Sequence, residues 1–550
     1  MISVQDRNSG TAGALLVFLL LFASALFLTG LTERHLWDAD EPREAGIVAE
    51  MARSGDYVVP RLNGQAFLEK PPLYYWIGSA VFKLFGENTR STRIPSALAA
   101  IGGVVIVFVL GRKMGLSPLS AFVCGLALAT SAEYWSLGRR CVLDMMLCLF
   151  TTAAMLCFFE AVRLPRRRML WFAGFVLSLA SAVLTKGLVG LVVPLSALTV
   201  WLVLSRNFSL RPWLILLSGS VLCLIPATIW IWLLCGQLGS ETVYKALLAN
   251  NLGRFTGAYA AHVESFYYYL VKSPPQFFPW VLFLPAAFIF HVGEIRQHKK
   301  ESPSLFILAW FAVPFLLLSV SAGKRGLYLL PLYPAAALFV GQAVGMVIEG
   351  KETATKWFNI PAGILAWAVI LMPLALLGIC VYFKQPVTVW PLVSAPGLCL
   401  GIWAYGRLRR KKLMSFLQIL VPAFLVLYLT FDIVTAPISN QKESFEPLFE
   451  YCRSLKSGGV QIGLFLPKER LSGAAVFYLR GRVPAFAGKE DMNKFLSSDG
   501  KTAAIFNEAD IRNPRDLDVL RSFKIGHDTI VVAAHRIADR EQDHASRPQD

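Results

Sequence analysis

The sequence predicts a polytopic α-helical membrane protein with a small α/β domain at its C-terminal end. Three observations predict it. Hydrophobic residues make up 55% of the 550 residues and charged ones only 16%, against roughly 25% charged in a soluble globular chain. Thirteen apolar runs follow one another between residues 14 and 435, most of them close to the ~20 residues that cross a bilayer core. Beyond about Ala436 the long runs stop, and short strand-like and helix-like stretches alternate.

The runs cover 14–31, 93–111, 117–134, 141–162, 169–185, 187–205, 212–235, 275–293, 304–321, 326–347, 358–383, 386–406 and 413–435. Two parts follow: residues 1–435 as the membrane domain, including loops 32–92 and 236–274, and residues 436–550 as the α/β domain. Ala23-Ser24-Ala25 resembles a signal-peptide cleavage site, but the apolar run continues through Leu26-Phe27-Leu28. That is too long for a signal peptide's apolar core, so the first helix is expected to be retained.

A net charge of +17 on a soluble chain would point to nucleic acid. Here the basic residues recur in short loops: Arg112-Lys113, Arg166-Arg167-Arg168, Arg206 with Arg211, Lys299-Lys300, Lys351 with Lys356, and Arg409 to Lys412. With thirteen spans and a cytoplasmic N-terminus, all of them fall on one side, as the positive-inside rule requires. Loops 32–92 and 236–274 and the C-terminal domain then face the outer side, and no nucleic-acid partner is expected. Most of the nine cysteines lie inside spans and none forms Cys-x-x-Cys, so no disulfide framework is implied.

In the first loop, Glu44 to Arg53 has the apolar spacing of a short amphipathic helix, ended by Gly55-Asp56. Pro71-Pro72 opens a second helix, Leu73 to Phe85, of the kind that lies in the membrane interface. Loop 236–274 holds the polar Asn250 to Arg254 and then aromatics suited to the headgroup level. In the C-terminal part, strands are predicted near 460–465, 502–506 and 529–534, and helices near 444–457, 470–479 and 489–497. The polar end from about Asp539 is expected to be disordered.

Chemistry-bearing residues crowd the outer face. Trp37-Asp38-Ala39-Asp40-Glu41-Pro42-Arg43 packs acids and a base just beyond the first span. A carboxylate there is either a helix cap or a positioned base, and Asp40 and Glu41 are the candidates. Glu69-Lys70 precedes Pro71-Pro72-Leu73-Tyr74-Tyr75-Trp76, and Lys70 either snorkels or neutralises a lipid phosphate. Asp144 lies one turn into the fourth span, where an ionisable group is functional by default unless it pairs with Arg139 or Arg140. Lys186, Lys324 and Arg325 fall on the outer side, against positive-inside, with Tyr328 one turn beyond. With Lys70 they would form a cationic ring for a phosphate headgroup. His262 has no companion ligands at metal-binding spacing, and no nucleotide-binding motif occurs.

These motifs resemble the first outer loop of the bacterial GT-C glycosyltransferases of the 39/83 type. The matching residues are Trp37 to Ala45, Met51, Ser54-Gly55-Asp56, Val59-Pro60, Asn63-Gly64 and Glu69 to Trp76. The resemblance extends through Asp144, Leu184-Thr185-Lys186-Gly187 and Lys324 to Pro331, over about the first 350 residues. The family includes the lipid A aminoarabinose transferases and, distantly, the protein O-mannosyltransferases. The resemblance implies the GT-C fold, a polyprenyl-phosphate sugar donor, most simply undecaprenyl phosphate, and inverting transfer on the periplasmic face of the inner membrane to lipid A or another periplasmic acceptor. It makes Asp40 the main catalytic carboxylate and Asp144 the second, and places Glu69 and Lys70 at the donor. It sets Lys186, Lys324 and Tyr328 near the lipid phosphate. Glu44 stands where the aminoarabinose transferases carry Tyr. Asn251 stands where they carry a His that, with the Glu matching Glu69, holds a metal, so no cofactor is expected here. Protein O-mannosylation is the alternative, and a lipid transporter or flippase a weaker one, because polar groups crowd the outer face rather than mid-span.

Overall fold

The computed structural model describes residues 4–535 except 38–39, 249–262, 299–301, 353–355, 384–389, 499–500 and 512–516. The expected disordered end and the polar centre of loop 236–274 lie outside the described residues. In chain order the helices begin with α1 (Val4–Leu28), α2 (Asp40–Ser54), α3 (Leu73–Phe85), α4 (Thr89–Lys113), α5 (Pro118–Ala129), α6 (Ala132–Gly138), α7 (Leu143–Arg163), α8 (Arg168–Lys186), α9 (Val189–Leu204) and α10 (Leu210–Leu222). There follow α11 (Ile225–Leu238), α12 (Ser240–Leu248), α13 (Tyr268–Gln276), α14 (Leu284–His298), α15 (Pro303–Val320), α16 (Tyr333–Ile348), α17 (Lys356–Tyr382), α18 (Trp390–Arg409) and α19 (Leu413–Glu443). The chain divides into two compact units. The first is Met1–Leu31, Tyr57–Val59 and Phe67–Thr435; the second is Thr32–Asp56, Pro60–Ala66 and Ala436–Asp550.

The first unit is helical and makes the chain a multi-pass membrane protein. Among the described residues nine helices are long and apolar enough to cross a bilayer, and a tenth crossing results if α13 and the Trp280–Gln297 segment, bent by 106° against each other, form one span. The other three expected runs fall on α5, α9 and α18. The 117–134 run is broken where Thr130 Oγ1 donates back to the Leu126 carbonyl at 2.6 Å and accepts from Trp280 Nε1 at 2.8 Å. Such side-chain back-bonding competes with the helix, and α6 starts afresh beyond it. The bend at 276–280 follows Pro274, Pro275 and Pro279, which lack the amide donors that a continuous helix needs.

Two fully buried arginines satisfy backbone in the last turn of α1 and just beyond it. Arg139 Nη1 donates to the Leu26 carbonyl at 2.7 Å and Nη2 to Asp432 at 2.6 Å, while Arg93 Nη1 donates to the Leu31 carbonyl at 3.0 Å. The last carbonyls of a helix have no partner within it, and here charged donors supply one in a low-dielectric interior.

The second unit holds β1 (Arg61–Leu62), β2 (Gln65–Ala66), α20 (Glu446–Ser457), β3 (Gln461–Phe465), α21 (Glu469–Tyr478), β4 (Ala485–Phe486), α22 (Lys489–Leu496), β5 (Thr502–Asn507), β6 (Leu517–Ile525) and β7 (Asp528–His535). Its five-stranded sheet runs β4-β3-β5-β7-β6; β3 is parallel to β4 and β5, and β7 is antiparallel to β5 and β6. Phe465, Leu496, Phe506 and Val531 lie in its core. The three strands and three helices expected from sequence are present. Strand β6 was not anticipated, because its Asp518, Arg521 and Lys524 break any apolar run.

The sequence reading grouped the whole first loop with the spans. In the structure Thr32–Asp56 and Pro60–Ala66 pack with the C-terminal sheet domain instead. The cause is a helix–helix contact without side chains. A Cβ on Gly46 would come within 2.6 Å of Gly473 Cα, and one on Gly473 within 2.6 Å of Arg43 Cα, so α2 and α21 touch backbone to backbone. Around this contact, Asn63 exchanges two 2.8 Å hydrogen bonds with the Val483 backbone, Glu50 accepts from Arg482 Nε at 2.7 Å, and Arg53 donates to the Val476 carbonyl at 3.0 Å. Gly473→Ala is therefore expected to cost about 1–3 kcal/mol, the usual range for overpacking. Gly481→Ala, with nothing within 4 Å of the added Cβ, is the control. Equal thermal unfolding of the two purified variants would refute the contact.

Candidate active site

In the second unit the first-loop motif is built around Arg43. Asp40 and Glu41 occupy the first turn of α2, where the helix dipole favours negative charge. Arg43, one turn on, donates from Nη2 to Asp40 Oδ1 at 2.8 Å and from Nη2 and Nε to Glu44 Oε1 at 2.6 and 3.0 Å; Nη1 donates to Glu469 Oε2 at 3.0 Å. One guanidinium thus holds three carboxylates. Asp40 is 7% exposed and Glu44 1%, so their two links to Arg43 are charge-assisted bonds largely shielded from water, roughly twice as strong as neutral ones, while the Glu469 side chain stays about half exposed. A carboxylate so fixed is pre-aimed, the first requirement of a general base.

Glu41, expected beside Asp40 in the chemistry, turns back and accepts from the Trp37 backbone N–H at 3.1 Å. That bond shapes the entry into α2. The approach to the motif is fastened by Asn440, whose Oδ1 accepts from His35 N at 3.0 Å and from Trp37 Nε1 at 2.7 Å. Arg34 lies 4.3 Å over the Trp37 ring. The His35 ring bridges Ser444 Oγ at 2.8 Å and Glu446 at 2.9 Å. The hydrogen bond from His35 holds the Glu446 carboxyl below its ordinary range, helped by the His35 and Arg453 charges and opposed by burial.

In the first unit a second cluster forms where helix ends meet. Asp144 lies in the first turn of α7 and Lys186 in the last turn of α8, so each charge sits at the helix end that suits its sign. Antiparallel packing brings those ends together, and Lys186 Nζ donates to Asp144 Oδ1. The same ammonium lies 4.7 Å over the Tyr328 ring. Asp144 therefore pairs with Lys186; of the two arginines weighed from sequence, Arg139 is bound to Asp432.

Not every expected member of the cationic ring joins this cluster. Lys324, 4% exposed, donates to the backbone carbonyls of Glu264, at 2.8 Å, and Ser321. It fastens the chain beside the Val263–Gly323 bridge. Arg325 supplies the carbonyl that accepts from Tyr328 N at 3.0 Å. Lys70 lies 4.0 Å from Glu69. Tyr74 and Tyr75 are fully buried, and Tyr74 donates to Cys141 Sγ at 3.2 Å. Asn251 and His262 lie outside the described residues. Among the described residues no group of three His, Cys, Asp or Glu side chains is placed to hold a metal ion.

Two residues that sequence reasoning passed over belong with these clusters. Glu469 completes the grip on Arg43, and nothing near position 469 resembles a motif. Glu133, on α6 between the apolar helices, lies within the field of both the Arg140 and the Asp144 charges. Its one legible signal was an acid eleven positions before Asp144 in otherwise apolar surroundings.

Residues 14–244 match the family described as dolichyl-phosphate-mannose-protein mannosyltransferase. The chain is 29% identical over 408 residues to undecaprenyl phosphate-alpha-4-amino-4-deoxy-L-arabinose arabinosyl transferase 2 of Proteus mirabilis, covering 73% of this chain and 72% of that one. It is 31% identical over 371 residues to the corresponding transferase of Aeromonas salmonicida, covering 66% of this chain and 65% of the relative. The structure is similar to that of ArnT from Cupriavidus metallidurans bound to undecaprenyl phosphate, with a TM-score of 0.75 at 20% identity over 97% of this chain and 99% of that one. Sequence over most of its length and fold over nearly all of it make the chain an ArnT-like glycosyltransferase of the GT-C fold.

Proposed function

We propose that the chain lies in the bacterial inner membrane with its N-terminus in the cytoplasm, and that it moves a sugar from undecaprenyl phosphate to a lipid A phosphate on the periplasmic face. The observation that carries this reading is the Arg43-held Asp40 at the start of α2, in a chain whose relatives are named for arabinosyl transfer from undecaprenyl phosphate. In the proposed reaction an acceptor oxygen attacks the anomeric carbon from the face opposite the donor. The carbon–oxygen bond to the polyprenyl phosphate breaks, its electron pair leaves on the phosphate, and the anomeric configuration inverts. Asp40 orients a phosphate acceptor, or takes the proton of a hydroxyl acceptor. Lys186, steered by Asp144, offsets the charge that grows on the leaving phosphate, and such electrostatic stabilisation is often the largest single contribution to catalysis.

A second reading, transfer to protein Ser or Thr, is favoured by the match of residues 14–244 to the mannosyltransferase family. Radiolabelled donor given to the purified chain with lipid A and with protein acceptors separates the two; label in the protein fraction alone would overturn the lipid A reading. We also propose that the chain's own cations neutralise the donor phosphate without a metal. Transfer is then expected to survive EDTA. Activity abolished by EDTA and restored by one divalent ion would refute this.

A further inference from the structure

Far along the chain, α18 and α19 are joined by a tight turn and enclose a groove of about 280 Å³. Leu400, Trp403 and Ile419 give it apolar walls, and Arg407, Ser415 and Gln418 give it a polar side. Two features do not suit an idle lipid-facing furrow. Arg407 lies 5.6 Å over the Trp403 ring and has no carboxylate partner among the described residues. Gln418 is exposed on a spanning helix, five residues in from Leu413. At about 1.5 Å per residue its amide sits roughly 7–8 Å inside the helix end, where a polar group without a partner is costly.

The turn itself is strongly basic. Arg409, Arg410, Lys411 and Lys412 follow Arg407 directly, and no acidic residue occurs between Arg407 and Asp432. The turn is also well defined: Lys411 has φ of +55°, its N–H donates to the Leu408 carbonyl at 2.9 Å, and the Lys412 N–H donates to the Arg407 carbonyl at 3.0 Å. A ligand that satisfies all of these groups at once has an anionic head at Arg407 and Ser415, a hydrogen-bond acceptor about 4–5 Å deeper, three residues further along α19, and a hydrocarbon tail.

We propose that this groove is a binding site for an anionic phospholipid. The lipid phosphate meets Arg407 and the Ser415 hydroxyl under the field of the Arg409–Lys412 turn. A glycerol-ester carbonyl accepts from the Gln418 amide, and an acyl chain lies along Leu400 and Ile419. Basic pockets between spanning helices hold anionic headgroups in this way. The site shares no residue with the proposed catalytic set and does not depend on its assignment.

The test uses the full-length protein in nanodiscs of phosphatidylcholine, with and without phosphatidylglycerol, read by native mass spectrometry for retained lipid and by thermal unfolding. Wild type is expected to retain phosphatidylglycerol in preference to phosphatidylcholine and to unfold at higher temperature with it. Arg407→Gln is expected to lower that preference about fivefold, the worth of one basic residue near a membrane surface. Gln418→Leu, which keeps every charge, is expected to lower retention of the lipid while leaving its sensitivity to salt. Equal retention of both lipids by wild type would overturn the proposal, and so would an unchanged preference in Arg407→Gln protein that unfolds as wild type does in phosphatidylcholine alone.

Discussion

Asp40→Asn is expected to reduce sugar transfer by about two to four orders of magnitude, the usual loss when an acid–base group is removed. Asparagine keeps the size of the side chain, and its carbonyl oxygen can still accept from Arg43 Nη2, now 2.8 Å from Asp40 Oδ1. Arg43 also keeps Glu44 and Glu469, so α2 is not left with an unpaired cation. Membrane insertion and thermal unfolding should therefore match wild type while turnover is lost. The measurement is initial-rate transfer from a radiolabelled polyprenyl-phosphate donor at saturating acceptor. An Asp40→Asn enzyme with half its activity, beside an inactive Asp144→Asn enzyme, would exchange the roles assigned to the two carboxylates.

The second large effect concerns Lys186 and Asp144, whose side chains are only 11% and 9% exposed. Removing one charge of a buried pair strands the other, at a cost of about 3–5 kcal/mol, whereas replacing both by neutral groups is often nearly harmless to stability. Lys186→Met should therefore both destabilise the protein and lower transfer by two orders of magnitude or more. The double variant Lys186→Met/Asp144→Asn should regain thermal stability and remain inactive, because the leaving phosphate still lacks its counter-charge. If the double variant regains transfer together with stability, the pair is a structural clasp and the donor phosphate is met elsewhere.

The sequence carried more of the scaffold than of the site. The apolar runs were legible because a bilayer demands length and apolarity along a continuous stretch, and α3, opened by Pro71-Pro72, was legible from residue 73 to 85 for a similar local reason. The break after Ala129 was not, because it rests on Thr130 meeting Trp280, 150 positions away. The same holds for the clusters. Asp40 and Arg43 lie one helical turn apart, so the crowding of charge was legible, but the helix was expected to start only at Glu44 and their pairing was not read. Glu469 was not legible at all, since nothing in its neighbours announces a partner 426 positions earlier. Lys324 shows the opposite case: a lysine on the outer side suggests a phosphate, and here its ammonium donates to two backbone carbonyls that no local pattern announces. Sequence reports what a residue is able to bind; competition among nearby acceptors settles what it does bind.

The glycine-to-glycine seat between α2 and α21 bears on when the enzyme comes into being. Asp40 is made near the start of synthesis, and the surface that receives its helix follows more than four hundred residues later. At about 5–20 residues per second, the motif waits roughly 20–90 s on the ribosome-bound chain before Gly473 and Glu469 exist to meet it. All the spans after the first are made during that interval. A chain released before α21 would have its membrane helices and its Asp40, but no seat for α2 and one carboxylate fewer around Arg43. Completion of the last domain thus acts as the licence for the first loop, and a polypeptide cut short in the membrane is left without the arrangement that would let it spend a costly lipid-linked sugar.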